Sequence, residues 1–140
     1  MDTKEDQGMK SIRVSAAVIH RDGKIFATQR GYGEYKGKWE FPGGKREEGE
    51  SGEEALLREI KEELDSVVKI ERLICTTDYD YPTFHLTMDV YLTSLIEGAL
   101  TLLEHEDATW VSLDSITDLD WLPADWSVIE EIKRHFSDSL

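Results

Sequence analysis

The most informative part of this chain reads Gly44-Lys45-Arg46-Glu47-Glu48-Gly49-Glu50 and continues, after seven residues, as Arg58-Glu59-Ile60-Lys61-Glu62-Glu63. Glu59, Glu62 and Glu63 are spaced i, i+3, i+4, which places three carboxylates on one side of a helix. Like charges at this spacing destabilise a helix unless a cation lies among them. Because no Cys or His lies nearby, the oxygen ligands favour Mg²⁺, with Mn²⁺ as a possible substitute, over zinc.

The residues before and within this stretch predict where the helix begins and which side is buried. Ser51 is a suitable N-cap, and Glu54 three residues later completes a capping box. At about 100° per residue, one apolar arc is formed by Leu56, Leu57, Ile60 and Leu64. The carboxylates occupy the adjacent arc, so we expect them at the rim of a core.

The pattern resembles the Nudix box, G-x5-E-x7-R-E-U-x-E-E-x-G-U with U aliphatic. The matching residues are Gly44, Glu50, Arg58, Glu59, Ile60, Glu62 and Glu63. The chain departs from the box at Asp65, where the family has Gly, and at Ser66, where it has an aliphatic residue. Because Asp tolerates the left-handed conformation better than most residues, we expect a local adjustment and an intact metal site.

The resemblance extends from Met9 to Phe136 and is strongest to the MutT branch, which includes 8-oxo-dGTP diphosphatases and CTP pyrophosphohydrolases. Matching segments are 29–30, 39–45 and 123–125. The resemblance implies a magnesium-dependent hydrolase that converts a (d)NTP, CTP-like or oxidised, to the monophosphate and pyrophosphate. Two alternatives stay open: hydrolysis of another nucleoside diphosphate derivative, such as ADP-ribose or a nucleotide sugar, and a non-catalytic nucleotide-binding regulator.

The resemblance also implies roles for the residues of the metal site. Glu59, Glu62 and Glu63 would carry the metal, and Gly43 is assigned to the same site. Glu104 matches a distant catalytic carboxylate of MutT-like proteins, although it could equally be a solvated loop acid. Either Glu104 or a box glutamate could serve as the general base.

Three further box residues are expected to support the site. Gly44 allows a close approach of the backbone to a ligand, and Glu50 supports the loop and the start of the helix. In a helical projection Arg58 points away from the acids, so we interpret it as a structural ion-pair partner.

Substrate contacts are expected from five residues. Arg30 and Lys45 match phosphate-binding positions, with ordinary surface cations as the alternative. Trp39 and Tyr81 are candidates for stacking on a base, unless they belong to the core. Asp125 replaces the Asn of MutT, and an ionised carboxylate only accepts hydrogen bonds, which suits an exocyclic amino group, as on cytosine or guanine. The change favours a cytosine nucleotide over strict reading of 8-oxoguanine. An N-cap role for Asp125 is the alternative.

Composition favours one compact enzyme domain over residues 9–140, preceded by a disordered tail over residues 1–8. The formal net charge is -14, from 16 basic and 30 acidic residues. Such a surface repels nucleic acid polymers and anionic membranes, so we expect a small nucleotide substrate and bridging cations. There is no signal peptide and no apolar stretch of about 18 residues, which predicts a cytoplasmic location. We expect a monomer or a homodimer. The single cysteine, Cys75, is expected to be a buried structural thiol.

The alternation of apolar residues predicts an α/β fold, and the resemblance implies a mixed sheet sandwiched between helices. Predicted strands are 11–20, 25–29, 39–41, 67–77, 84–94 and 109–112. Residues 21–24 form a hairpin turn, and residues 31–38 and 78–83 are loops. A second helix is predicted over residues 126–136.

Overall fold

The structure is a computed structural model that describes residues 10–103, 105 and 107–139; the tail predicted for residues 1–8 lies outside this range. The strands are β1 (Lys10–Arg21), β2 (Lys24–Gln29), β3 (Trp39–Glu40), β4 (Gly43–Lys45), β5 (Val67–Tyr81), β6 (Phe84–Glu97) and β7 (Asp107–Ser112). The helices are α1 (Gly52–Leu64), a short 3₁₀ helix (Ile116–Asp118) and α2 (Pro123–Ser139). No helix within the described ranges is long and apolar enough to cross a membrane.

The strands form one mixed sheet. Its main path runs β3-β2-β1-β6-β5, with β4 paired to β1 and β7 paired to β2. The central β1 and β6 are parallel, whereas the other pairs are antiparallel. The predicted turn joins β1 to β2, because Asp22 and Gly23 adopt the positive φ angles that a two-residue hairpin turn requires.

The two faces of the sheet carry separate cores, each covered by one helix. Along β1, Ala16 and Val18 face the core of α2, whereas Ala17 and Ile19 face the core of α1. This alternation follows from the two-residue period of a strand. The predicted mixed sheet between helices is therefore confirmed. Cys75 is partly buried against the core of α2, and burial raises the pKa of its thiol to about 11.

Helix α1 begins and ends as its sequence predicts. The Ser51 hydroxyl accepts a hydrogen bond from the Glu54 backbone N–H, and the Glu54 carboxylate accepts one from the Ser51 N–H. At the other end Asp65 adopts the left-handed conformation, with φ 48 and ψ 47. One prediction is wrong: Leu57 is exposed rather than buried, because the core covers only the narrower arc of Leu56, Ile60 and Leu64.

Other boundaries differ from the sequence predictions. Residues 78–81 extend β5 instead of forming a loop, because polar side chains also pair across the hairpin, as Thr87 does by donating to Asp78. The short β4 was not predicted, since glycines have low strand propensity. Helix α2 begins at Pro123, three residues before the predicted start, which is consistent with the preference of proline for the first helical turn.

Candidate active site

A cavity of about 740 Å³ opens between β1, β4, the loop after β2, the β5–β6 hairpin and the start of α2. Its volume is within the range of pockets that bind small molecules and cofactors. The sequence-predicted residues that line it are Arg30, Gly43, Gly44, Lys45, Glu59, Glu63, Tyr81 and Asp125. Glu50, Arg58, Glu62 and Trp39 do not line it. Glu104 lies outside the described residues.

Helix α1 presents two of the three predicted metal carboxylates to this cavity. The side chains of Glu59 and Glu63 are only 15% and 16% exposed, and both line the pocket. Glu62 is 57% exposed and lies outside the pocket. A Cβ atom on Gly44 would lie 2.3 Å from the Glu59 carboxyl group, so the glycine is what allows this carboxylate to lie against β4.

Arg58 connects the box carboxylates to one another. Its guanidinium donates to both carboxylate oxygens of Glu50, at 2.7 and 3.0 Å, and to the Lys45 carbonyl at 2.9 Å. It also donates to Glu59 at 2.8 Å and to Glu62 at 3.3 Å. The helical projection was therefore wrong about the direction of Arg58, because its long side chain folds back over the acids. These contacts support a structural role, since they join the loop of residues 45–50 to α1.

The pairing of Glu50 with Arg58 predicts a specific dependence of stability on pH. The hydrogen bond from Arg58, with help from the Glu47 N–H, lowers the pKa of Glu50 from 4.5 to about 2. A carboxylate whose pKa is lowered by folding stabilises the protein above its unfolded pKa. This stabilisation is lost as the pH falls from about 4.5 towards 2. We expect Glu50→Gln to flatten the decline in urea midpoint across this window.

Glu48→Gln is the matched control for that experiment, because Glu48 is an exposed carboxylate in the same loop. The control should retain the wild-type dependence of the urea midpoint on pH. A Glu50→Gln profile parallel to that of the wild type between pH 2 and 4.5 would contradict the assigned pairing.

The donor set at the cavity fits a hard divalent cation. Glu59, Glu63 and the backbone at Gly43 and Gly44 line one cavity and offer oxygen atoms, which Mg²⁺ prefers. Within the described part of the chain no three acidic, His or Cys side chains already converge as a metal cluster. The carboxylate expected to complete the set, Glu104, is outside that part.

The charges that line the cavity are predominantly negative. The acidic residues lining it are Glu34, Glu40, Glu47, Glu59, Glu63 and Asp125, and the basic ones are Arg30, Lys45 and Arg46. Arg30 is moreover engaged by Glu40, with its guanidinium donating to the two carboxylate oxygens at 2.9 and 3.4 Å. A polyanionic ligand would therefore be repelled unless cations accompany it.

Glu40 and His105 are among the polar residues of the cavity that sequence reasoning missed. The His105 side chain is only 8% exposed, and its Nε2 atom lies 3.9 Å from a Glu40 oxygen and 3.8 Å from a Glu63 oxygen. His105 was not among the residues predicted for the site, although its position beside Glu104 was a usable signal. The signal for Glu40 was its position three residues before the double glycine.

Asp125 is buried at the wall of the cavity. Its Oδ2 atom accepts a hydrogen bond from the Phe41 N–H at 3.1 Å, so the N-cap alternative is wrong: α2 begins earlier and the carboxyl group points to another segment. Burial, together with the nearby Glu40 charge, raises the pKa of Asp125 well above its usual range. A protonated carboxyl group both donates and accepts. The argument from an acceptor-only group, which favoured cytosine, holds only for an ionised Asp125, and the choice of base stays a prediction.

The two predicted stacking residues have different positions. Trp39 packs beside the core under α2, and its backbone bonds to Asp120 and Leu122. The structure does not bring it into the cavity. Tyr81 does line the cavity, but it is only 6% exposed, and its ring is stacked on Phe84 with 4.9 Å between centroids.

The chain is similar to known proteins over most of its length. A family model described as the NUDIX domain matches residues 9–132. The 8-oxo-dGTP diphosphatase of Escherichia coli K12 is 33% identical over 128 residues, covering 90% of this chain and 99% of that protein. The CTP pyrophosphohydrolase of the same strain is 33% identical over 123 residues, covering 87% and 91%. The solution structure of the E. coli ORF135 protein superposes with a TM-score of 0.81 at 32% identity, covering 91% and 92%. This chain therefore belongs to the Nudix family.

Proposed function

We propose that this protein is a Mg²⁺-dependent nucleoside triphosphate pyrophosphohydrolase, which converts a (d)NTP to the monophosphate and pyrophosphate. The observation that carries the proposal is that the Glu59 and Glu63 carboxylates line the same nucleotide-sized cavity as Arg30, Lys45 and Asp125. Relatives of nearly the same length named 8-oxo-dGTP diphosphatase and CTP pyrophosphohydrolase support a triphosphate substrate.

The carboxylates of α1 would hold the cation. Glu59 and Glu63 are the first candidates because they line the cavity, and Glu62 and Glu104 are assigned to the same site by the box and by the resemblance. When bound, the cation neutralises phosphate charge and lowers the pKa of a coordinated water. Arg58 holds Glu59 in place through a 2.8 Å hydrogen bond, which preserves the orientation of that carboxylate before substrate arrives.

The remaining residues bind and orient the nucleotide. Arg30 and Lys45 line the cavity and can donate hydrogen bonds to phosphate oxygens. Apart from the metal ion, phosphoryl transfer mainly requires groups that position the phosphates and neutralise their charge. Asp125 is the candidate for reading the base, because its second carboxyl oxygen is not the one engaged by Phe41. His105 lies between Glu40 and Glu63 and would help to hold these two carboxylates at the wall of the cavity.

A hydrolysis panel with Mg²⁺ tests the proposal. Steady-state kinetics would be measured on canonical triphosphates, 8-oxo-dGTP, ADP-ribose and a nucleotide sugar. Nucleoside monophosphate, which all these substrates yield, and pyrophosphate, which only the triphosphates yield, would be quantified separately. We expect pyrophosphate from at least one triphosphate, no hydrolysis of ADP-ribose, and loss of turnover on addition of EDTA. Hydrolysis confined to ADP-ribose or the nucleotide sugar would overturn the triphosphate assignment. Tight nucleotide binding without turnover would identify a regulator instead.

A further inference from the structure

We infer that the Tyr81 hydroxyl is a positioning group that holds the start of α2 and thereby fixes Asp125 for reading the base. This inference rests on the proposed function. Tyr81 lies at the end of β5, and the Tyr81 Oη atom accepts a hydrogen bond from the Ala124 N–H at 3.1 Å. Ala124 is the second residue of α2 and directly precedes Asp125.

The first turn of α2 has few other ways to satisfy its backbone donors. Pro123 has no N–H, and the N–H groups of Asp125 and Trp126 both donate to the Leu122 carbonyl, at 2.9 and 3.2 Å. The Ala124 N–H would be without an acceptor in its own helix, as is usual at a helix start. The Tyr81 hydroxyl, 43 residues away in sequence, supplies that acceptor.

The packing of the Tyr81 ring makes it a rigid support rather than a stacking surface for a base. Phe84 is stacked on the ring at an interplanar angle of 19°, and Tyr35 and Tyr79 contact it at 64° and 58°. Burial also raises the pKa of the Tyr81 hydroxyl to about 12, so the group stays neutral at working pH. The β5–β6 hairpin therefore sets the position of the Tyr81 hydroxyl, and the first turn of α2 is bonded to that hydroxyl.

Asp125 is thus fixed from two sides. Its carboxyl group accepts the Phe41 N–H, while the backbone just before it is held by Tyr81. Removing the hydroxyl leaves Ala124 without its partner and allows the first turn of α2 to shift. Contacts of Asp125 with a base depend on that position, whereas phosphate contacts of Arg30 and Lys45 come from other elements. The expected effect is a change in base selectivity rather than a general loss of catalysis.

Tyr81→Phe removes only the hydroxyl, and Tyr79→Phe is the matched control. Tyr79 is a neighbour on the same strand that does not line the cavity, and no hydrogen bond of its hydroxyl is seen in the described part of the chain. We would measure the ratio of kcat/KM for dCTP to that for 8-oxo-dGTP. The ratio should change about three- to tenfold in Tyr81→Phe, the range expected for one hydrogen bond, and stay at the wild-type value in Tyr79→Phe.

A double-mutant cycle with Asp125→Ala, which removes every polar atom of that side chain, tests whether Tyr81 acts through Asp125. Tyr81→Phe should leave the ratio unchanged when Asp125 is already replaced. An equal change in both backgrounds would overturn the inference, and so would an unchanged ratio in an active, folded Tyr81→Phe variant. Failure of the wild type to hydrolyse any triphosphate of the panel would overturn the proposed function, whereas an active wild type with an unchanged ratio in Tyr81→Phe would overturn only the inference about Tyr81.

Hydrogen exchange on the wild type supplies a measurement that does not depend on the stability of any variant. The Ala124 amide should exchange as slowly as the Trp126 amide, which is bonded to Leu122. An Ala124 amide that exchanges at the rate of an unprotected first-turn amide would overturn the inference.

Discussion

Glu63→Gln should lower kcat by about 10²- to 10⁴-fold, which corresponds to losing several kcal/mol of metal-assisted charge stabilisation. Gln has nearly the shape of Glu but lacks its charge, so the fold should persist while the affinity for Mg²⁺ falls. Glu63 is chosen because its side chain is mostly buried and lines the cavity. Steady-state kinetics measure kcat, and calorimetric titration measures the affinity for Mg²⁺. Thermal unfolding checks that the variant is folded.

Glu53→Gln is the matched control, because Glu53 is an exposed residue of the same helix outside the cavity. It should retain wild-type kcat and Mg²⁺ affinity. Wild-type turnover in Glu63→Gln would contradict the assignment of Glu63 as a metal ligand. Glu62→Gln, by its box position, is also expected to lose kcat by orders of magnitude. Unchanged turnover there would show that Glu62 serves only its 3.3 Å contact with Arg58.

Gly43→Ala should destabilise the fold by about 3 kcal/mol or more, or prevent folding. A Cβ atom at Gly43 would lie 2.0 Å from the Ser15 carbonyl oxygen and 2.9 Å from the Ala16 Cα atom. These are backbone atoms of β1, which pairs with β4 at this point, so no side-chain rotation relieves the clash. Urea unfolding at 25 °C measures the decrease in the free energy of unfolding.

Gly44→Ala, at the neighbouring glycine, is the variant to compare with Gly43→Ala. There the new methyl group meets the end of the flexible Glu59 side chain, at 2.3 Å, rather than backbone. We expect little change in the urea midpoint but reduced turnover, because Glu59 must move. Equal stability of Gly43→Ala and the wild type would contradict the close approach of β4 to β1.

The candidate site was only partly predictable, and the reasons are visible in particular residues. The box spacing placed Glu59, Glu62 and Glu63 on one side of α1, but the helix carries them over about 100° of arc. The cavity borders only part of that arc, so Glu62 is left outside. Glu40 and His105 lie outside the box, and only the fold places the His105 Nε2 atom 3.9 Å from a Glu40 oxygen and 3.8 Å from a Glu63 oxygen.

The sequence by itself determined the local features of this protein. The capping box at Ser51, the left-handed helix end at Asp65 and the hairpin turn at Asp22 and Gly23 depend on neighbouring residues, whose conformational preferences can be read directly from their types. Only the tertiary structure decided that the Asp125 carboxyl group meets the Phe41 N–H and that the Tyr81 hydroxyl meets the Ala124 N–H. Partners separated by 84 and 43 residues are brought together by the packing of α2 against the sheet, which sequence spacing does not specify.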